Sequence, residues 1–411
     1  MKNTSLGYHT FSFFQKLKDM EYSDLSTDFS VYVRKNKDMK EFPVKDKKGK
    51  IIGWEYSYKP SKGIRWILIS RQAGNEFSIQ GLLVIVNPKS LVKRDYIAAA
   101  NESDFDMTEK IFNDEAAKIS PLLKKLGLCS LSRVDPCLNI DLRELDFPCS
   151  AEQMMRLIKQ GNIPKHYKER ELKYDDKQHR KITDKTSFYL ESKSSVINYY
   201  LKYPQQDEGH PNYLFREESR YVIRLEVQCK YPKLYALSKN SREQSRFYTA
   251  EEEFSLWELF ERMEDGVQNP SNPMDVILRE AVLEEIIRKH FYKVLRKGDY
   301  FTISTARDIV GSYHFRPEKE NRLLDALEMV SECRGIAKAK SRLYGPDLDD
   351  FKRSLNDLDD ILVNPVTIPR RWGIQHIPNL FRAYVDSVYE EQLVSGQEYL
   401  AGRRIDEILA E

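Results

Sequence analysis

Tyr200 and Lys202 stand two residues apart in SSVINYYLKY (194–203), a stretch that reads as a β-strand. Residues two apart on a strand share a face. Asn198, Tyr200 and Lys202 therefore lie on one side, and Ile197, Tyr199, Leu201 and Tyr203 on the other. A phenol has an ordinary pKa of about 10, so it needs a nearby cation to act as a nucleophile near neutrality. Lys202 is placed to be one. Two more stretches divide in the same way. In SLSRVDPCLNIDL (130–142), Arg133, Asp135, Cys137, Asn139 and Asp141 oppose the apolar Val134, Pro136, Leu138, Ile140 and Leu142. In YVIRLEVQCKY (221–231), Arg224, Glu226, Gln228 and Lys230 oppose Ile223, Leu225, Val227 and Cys229.

If the three strands share a sheet, their polar faces assemble a set suited to phosphoryl transfer. Carboxylates take a hard cation, Mg²⁺ or Mn²⁺, through oxygen. Such a cation screens a phosphodiester, and Lys and Arg neutralise its remaining oxygens. A tyrosine ester to a DNA phosphate conserves the energy of the cut bond, so the strand can be rejoined. The same alternation also describes an antiparallel sheet whose outer face meets water, with surface ion pairs of little energetic value.

The elements that must position these residues follow from periodicity. Strands are expected at 63–72, 77–87, 130–142, 186–192, 194–203 and 221–231. Helices are expected at MTEKIFNDEAAKISPLLKKLG and at SAEQMMRLIKQG, the latter with Ser150 as N-cap. The charged stretch 164–185 reads as a loop. The expected fold is α+β: an antiparallel-rich sheet with helices on one face, followed by an α-helical C-terminal domain. The expected boundaries are an N-terminal extension at 1–60, the sheet domain at 61–248 and the helical domain at 249–411. Within the last, a long amphipathic helix is expected to run through NPSNPMDVILREAVLEEIIRKHFYKVLRKG (269–298) and to close at Gly298. No sequence repeat is visible. Formal net charge is only +2 with 32% charged residues, so any nucleic-acid surface must be local. Five scattered cysteines without a CxxC point to reduced thiols in a cytoplasmic protein. The scattered histidines give no HxH or HExxH. No signal peptide or bilayer-spanning stretch is read.

Four motifs in order resemble the Rep_trans family of plasmid rolling-circle replication initiators, also called replication initiation factors. They are Arg133-Val-Asp135, Phe188-Tyr189 with Ser194-Ser195, Tyr200-Leu-Lys202 and Arg224-Leu-Glu226, within about residues 60 to 235. Asn139 stands where many relatives carry a second aspartate, and Asp141 lies two residues further along the same face. The likeness implies a site-specific nick at an origin extruded as single-stranded or cruciform DNA. A tyrosine would become joined to the 5′ phosphate, and the freed 3′ hydroxyl would prime synthesis. It implies Tyr200 as nucleophile, Asp135 and Glu226 as metal ligands with Asp141 as a third, and Lys202, Arg133 and Arg224 as phosphate or structural partners. It also implies a homodimer working with a helicase. The helical tail resembles that of longer members from mobile elements.

Two segments are candidates for DNA contact. Lys168, Arg170, Arg180 and Lys181 lie in the 164–185 stretch, which carries acidic residues too and reads equally as solvated. The helix expected after Thr302 bears Arg307 and suits either a helix-turn-helix or ordinary packing. Arg370, Arg371 and Trp372 sit in a Pro-rich segment, 364–380, that meets DNA or a partner, or pins the last helix.

Overall fold

The computed structural model describes residues 3–46, 48–59, 61–73, 77–92, 97–170, 173–175, 180–182, 185–203, 217–240 and 274–394. Ten strands form one wholly antiparallel sheet. They are β1 (Ser5–Lys16), β2 (Met39–Lys45), β3 (Ile51–Tyr58), β4 (Ile64–Ala73), β5 (Phe77–Val86), β6 (Leu131–Asp141), β7 (Lys168–Glu169), β10 (Ser187–Glu191), β11 (Ser195–Leu201) and β12 (Val222–Lys230). A separate hairpin, β8 (Lys173–Asp175) and β9 (Arg180–Ile182), is inserted between β7 and β10.

The strand order is β2-β3-β4-β5-β1-β6-β12-β11-β10-β7. Read outward from the central β1–β6 pair, the two sides match. Each begins with a long strand, continues through a helix to a strand at the far edge, and returns as a four-stranded meander whose last strand pairs with the first. The helices are α1 (Asp19–Lys35) and α4 (Ala151–Ile158). Because β1 and β6 pair antiparallel, the two matching topologies run in opposite directions from that pair. The repeat lies in the topology and leaves no sequence trace.

Alternation decides the faces. Tyr8, Phe11, Phe13, Tyr56, Trp66, Val84, Leu138, Tyr199 and Leu225 enter one continuous apolar core. The helices that cover it include α2 (Pro88–Leu91), α3 (Phe105–Ile119) and α5 (Tyr231–Asn240). Ser150 caps α4 as expected, its hydroxyl accepting from Gln153 N at 3.2 Å. The C-terminal half adds α6 (Met274–Ile277), α7 (Glu280–Leu295), α8 (Ile303–Ser312), α9 (Pro317–Cys333), α10 (Ile336–Lys340), α11 (Gly345–Asp360) and α12 (Leu380–Val394). Leu283, Ile286, Ile287 and Phe291 of α7 join the same core, so the helical half is fused to the sheet.

Three expectations are corrected, and one alternative is decided. Residues 1–60 are no extension: β1 is a central strand, held by β5 and β6, and β2 and β3 complete one flank. The stretch 164–185 contains an edge strand and a hairpin. The long helix is broken, with Arg279 extended ahead of α7, and it ends at Arg296 in a positive-φ conformation, before Gly298. Arg307 makes an ion pair with Glu328 of α9, which fits helix packing. The boundary expected at 248/249 falls outside the described residues. In the Pro-rich segment, β14 (His376–Ile377) pairs with β13 (Tyr300–Phe301), and Asp299 Oδ1 accepts from Asn379 N at 2.7 Å, which fixes the start of α12. Arg370 and Arg371 are exposed, and Trp372 is half-buried against the core. No helix among the described residues is long and apolar enough to cross a membrane.

Candidate active site

The register of the second unit brings the sequence-marked residues together. Tyr200 of β11 is paired with Arg224 of β12, and Asn198 with Glu226. Glu226 in turn faces Cys137 of β6, one alternation from Asp135. Tyr200 Oη donates to Glu226 Oε2 at 3.2 Å. Lys202, just past β11, holds its ammonium 5.8 Å from the centre of the Tyr200 ring. Tyr199 points the opposite way, into the core.

The centre of this face does not meet water. Asp135 and Arg224 are 0% exposed, Lys202 1%, Glu226 4% and Tyr200 8%. The water-facing alternative therefore does not hold for these residues. Ionisable groups with so little solvent must satisfy one another. Burial works to raise the Glu226 carboxyl, but the hydrogen bond from His9, the charge that His9 carries at acid pH and the charge of Arg224 outweigh it and hold it at about 2. Asp135 goes the other way, to about 6. Burial raises it and the Glu226 charge adds to that, while Arg133 and Thr10 oppose. Burial and the Glu226 charge keep Tyr200 a neutral phenol. Burial, helped by the charges of Arg224 and Lys89, draws the Lys202 ammonium well below its ordinary value.

Two site residues come from β1, which periodicity did not mark. His9 Nδ1 lies 3.2 Å from Glu226 Oε2, and the Thr10 hydroxyl donates to Asp135. Neighbours on a strand should face opposite ways. A register shift between Tyr8 and Phe11 turns both to this side. The signal was present as a slip in the apolar phase, from Leu6 and Tyr8 to Phe11 and Phe13. Tyr189 of β10 is half-buried on the same face, and the charges of Glu226, Arg170 and Asp135 act on its phenol.

Other expected residues have other roles. Arg133 forms a two-pronged pair with Asp135, Nε to Oδ1 at 2.7 Å and Nη2 to Oδ2 at 2.5 Å. Asn139 is a clamp for Arg224: its Oδ1 accepts from Arg224 Nε at 2.6 Å, and its Nδ2 donates to Ile97 O at 2.7 Å. Ile97 O also accepts from Arg224 Nη2 at 3.1 Å. The chain at 97–100 can cross here because Gly7 lacks a side chain. A Cβ at that position would sit 1.9 Å from Ala100 O. Asp141 does not join the acids. It lies six residues, about 20 Å along a strand, from Asp135, and is engaged by Arg143 and Asn3. Lys168 and Arg170 are exposed at the β7 edge. Arg180 and Lys181 belong to β9, and their side chains lie outside the described residues.

The fit to a divalent cation is incomplete. Asp135 and Glu226 are the right donors, and His9, which burial draws down to about 4, is a neutral imidazole. Yet Arg133 spans both Asp135 oxygens, and no group of three or more His, Cys, Asp or Glu poised to hold a metal occurs among the described residues. As arranged, the residues do not form a cation site, and Asp141 is removed from the expected ligand set. No family model matches the chain, and no curated protein or solved structure matches it.

Proposed function

We propose that this chain nicks and rejoins DNA through a phosphotyrosine intermediate, as an initiator of rolling-circle replication, with the second unit of the sheet as its nicking domain. One observation carries the reading: the Tyr200 hydroxyl donates to Glu226 inside a buried pocket that also holds Arg224 and Lys202. A tyrosine that serves only packing has no need of an ionised acceptor flanked by a guanidinium and a buried lysine. Glu226 takes the phenolic proton as Tyr200 Oη bonds to phosphorus. The bond from phosphorus to the 3′ oxygen breaks, and that oxygen leaves as a hydroxyl, so one proton is lost and one is gained. Arg224 and Lys202 neutralise phosphate oxygens while charge builds on them. Rejoining is the reverse: the 3′ hydroxyl attacks and the phenol leaves. Mg²⁺ or Mn²⁺ enters this reading only as a cation that Asp135 and Glu226 would hold once Arg133 moves to a phosphate. A homodimer and a helicase are partners that the family likeness alone implies.

The test is a gel with labelled supercoiled and single-stranded DNA from the sequence that carries the gene, in Mg²⁺, Mn²⁺ or EDTA. A covalent protein–DNA adduct is expected, absent in Tyr200→Phe. Binding in EDTA with no cut in any metal would make the chain a non-catalytic DNA-binding regulator. Cutting with no attached protein would make water the nucleophile and Tyr200 a bystander.

A further inference from the structure

Two runs of sequence carry cations and no acid. Residues 153–168 hold Arg156, Lys159, Lys165 and Lys168, and residues 333–346 hold Arg334, Lys338, Lys340 and Arg342. The chain has 64 Asp and Glu in 411 residues, so a run of either length should hold about two. Glu152, Glu169, Glu332 and Asp347 bound the runs without entering them.

The fold brings the two runs together. The first is the body and end of α4 with the turn that leads to β7, and the second is α10 with its flanks. Ile336 N donates to Gln160 O at 2.9 Å, and Lys340 Nζ donates to Asn162 Oδ1 at 2.8 Å. Arg156, Lys165, Lys168, Arg334, Lys338 and Arg342 are exposed, and none of them is in an ion pair with another described residue. Arg156, Arg334 and Lys338 stand at the C-terminal ends of α4, α9 and α10, where helix dipoles favour cations. That accounts for each one singly. It does not account for Lys165 and Lys168, or for gathering like charges on one surface with no acid among them, which costs the folded chain stability. Lys340 shows the field there: burial and the charges of Arg296 and Lys352 draw its ammonium down to about 8.

The surface runs on toward the candidate active site. Tyr167 Oη and Ser195 Oγ are hydrogen-bonded at 2.5 Å, which pins the turn after α4 to the start of β11. Lys168 of β7 then lies opposite Glu191 of β10, and Arg170 N donates to Tyr189 O at 2.9 Å. β10 is the strand beside the one that carries Tyr200.

We propose that the surface formed by the end of α4 and by α10 grips the phosphate backbone of the double-stranded DNA that flanks the nicked strand. The identity of the polyanion as DNA rests on the nicking reading above; the charged surface does not. Duplex follows from place: the strand to be cut is held in the Tyr200 pocket, and a patch outside that pocket meets the paired DNA beyond it. Phosphate contacts of this kind set register on the duplex and carry no sequence information.

The experiment measures fluorescence anisotropy of the full chain on labelled duplex and single-stranded DNA, in EDTA, over a series of salt concentrations. The adduct assay on wild type is run in parallel. Each phosphate neutralised on duplex DNA adds about 0.9 to the slope of log affinity against log salt. The triple variant Arg334→Gln, Lys338→Gln, Arg342→Gln is expected to bind duplex about tenfold or more weakly and to flatten that slope by about 2. The double variant Arg334→Lys, Arg342→Lys, which keeps the charge, should keep both. If the triple variant does not fold, Arg156→Gln with Lys165→Gln, from the other run, decides by the same slope. Equal affinity and slope in wild type and a folded neutral variant overturn the surface, whatever the adduct assay gives. So does a wild type that binds no duplex. A loss confined to the single strand overturns the assignment to duplex. Duplex binding that depends on these cations without any adduct leaves the surface standing and removes the nicking reading.

Discussion

On the face turned away from the helices, the β4–β5 hairpin presents Ile67, Ile69, Leu83 and Ile85. The β11–β12 hairpin occupies the matching place in the second unit and presents Asn198, Tyr200, Arg224 and Glu226. In the first unit Phe14 of β1 lies over Gly81, where an added Cβ would come within 1.7 Å of the ring. In the second, Arg133 and Asp135 of β6 hold the corresponding region by an ion pair. One chain topology has thus been filled twice, once with hydrocarbon and once with charges. The apolar filling asks only for volume. The charged filling must satisfy its donors and acceptors, and it draws His9 and Thr10 from the first unit to do so, with Arg224 Nη1 and Asn198 Oδ1 left over. The charged filling is the costlier of the two, and the proposed chemistry would account for it.

The comparison can be broken in four ways. The largest effect belongs to Tyr200→Phe, which should abolish the covalent adduct while leaving the circular dichroism spectrum intact. An adduct that survives there would strip the second unit of its proposed chemistry. Next comes Phe14→Ala in the first unit, which should cost about 3–5 kcal/mol in urea unfolding by opening a cavity. A loss under about 1 kcal/mol would mean that the apolar filling is not structural. Third, Asp135 ties the second unit to pH. Its carboxyl is raised from 3.8 to about 6, so between these values the folded chain holds a proton that the unfolded chain has released. Its contribution is full below about pH 4 and is lost as pH climbs through 6, by about 3 kcal/mol at most. Asp135→Asn should flatten this slope in chemical denaturation, and Ile67→Val in the first unit should not. The smallest effect is Tyr199→Phe. Its hydroxyl is buried with no hydrogen-bond partner, so Tm should hold or rise slightly and the adduct should persist.

The legible part of the molecule was the part with clean alternation. β6, β11 and β12 each carry an apolar face and a polar one, and the register places Tyr200, Arg224 and Glu226 as that pattern required. Legibility broke at several points. β1 changes phase between Tyr8 and Phe11, so neither its central place nor His9 and Thr10 could be reached by counting in twos. Asp141 satisfied the face rule but not the distance rule: sharing a face says nothing about how far apart two residues lie along it. The burial of the polar face was also beyond alternation, which tells the two sides of a sheet apart but not which of them is covered.

The central position of β1 has a consequence for how the chain is made. Residues 5–86 hold a complete unit, and its meander can close on β1 as soon as β5 leaves the ribosome. The other edge of β1 pairs with β6, which begins at Leu131. While those intervening residues are being synthesised, at about 5–20 residues per second, the nascent chain carries a long, aromatic-rich strand with its backbone groups open on one side. A second nascent copy is the nearest rival for that edge. Pausing or crowding on the message should therefore favour tangled polysomes over finished protein.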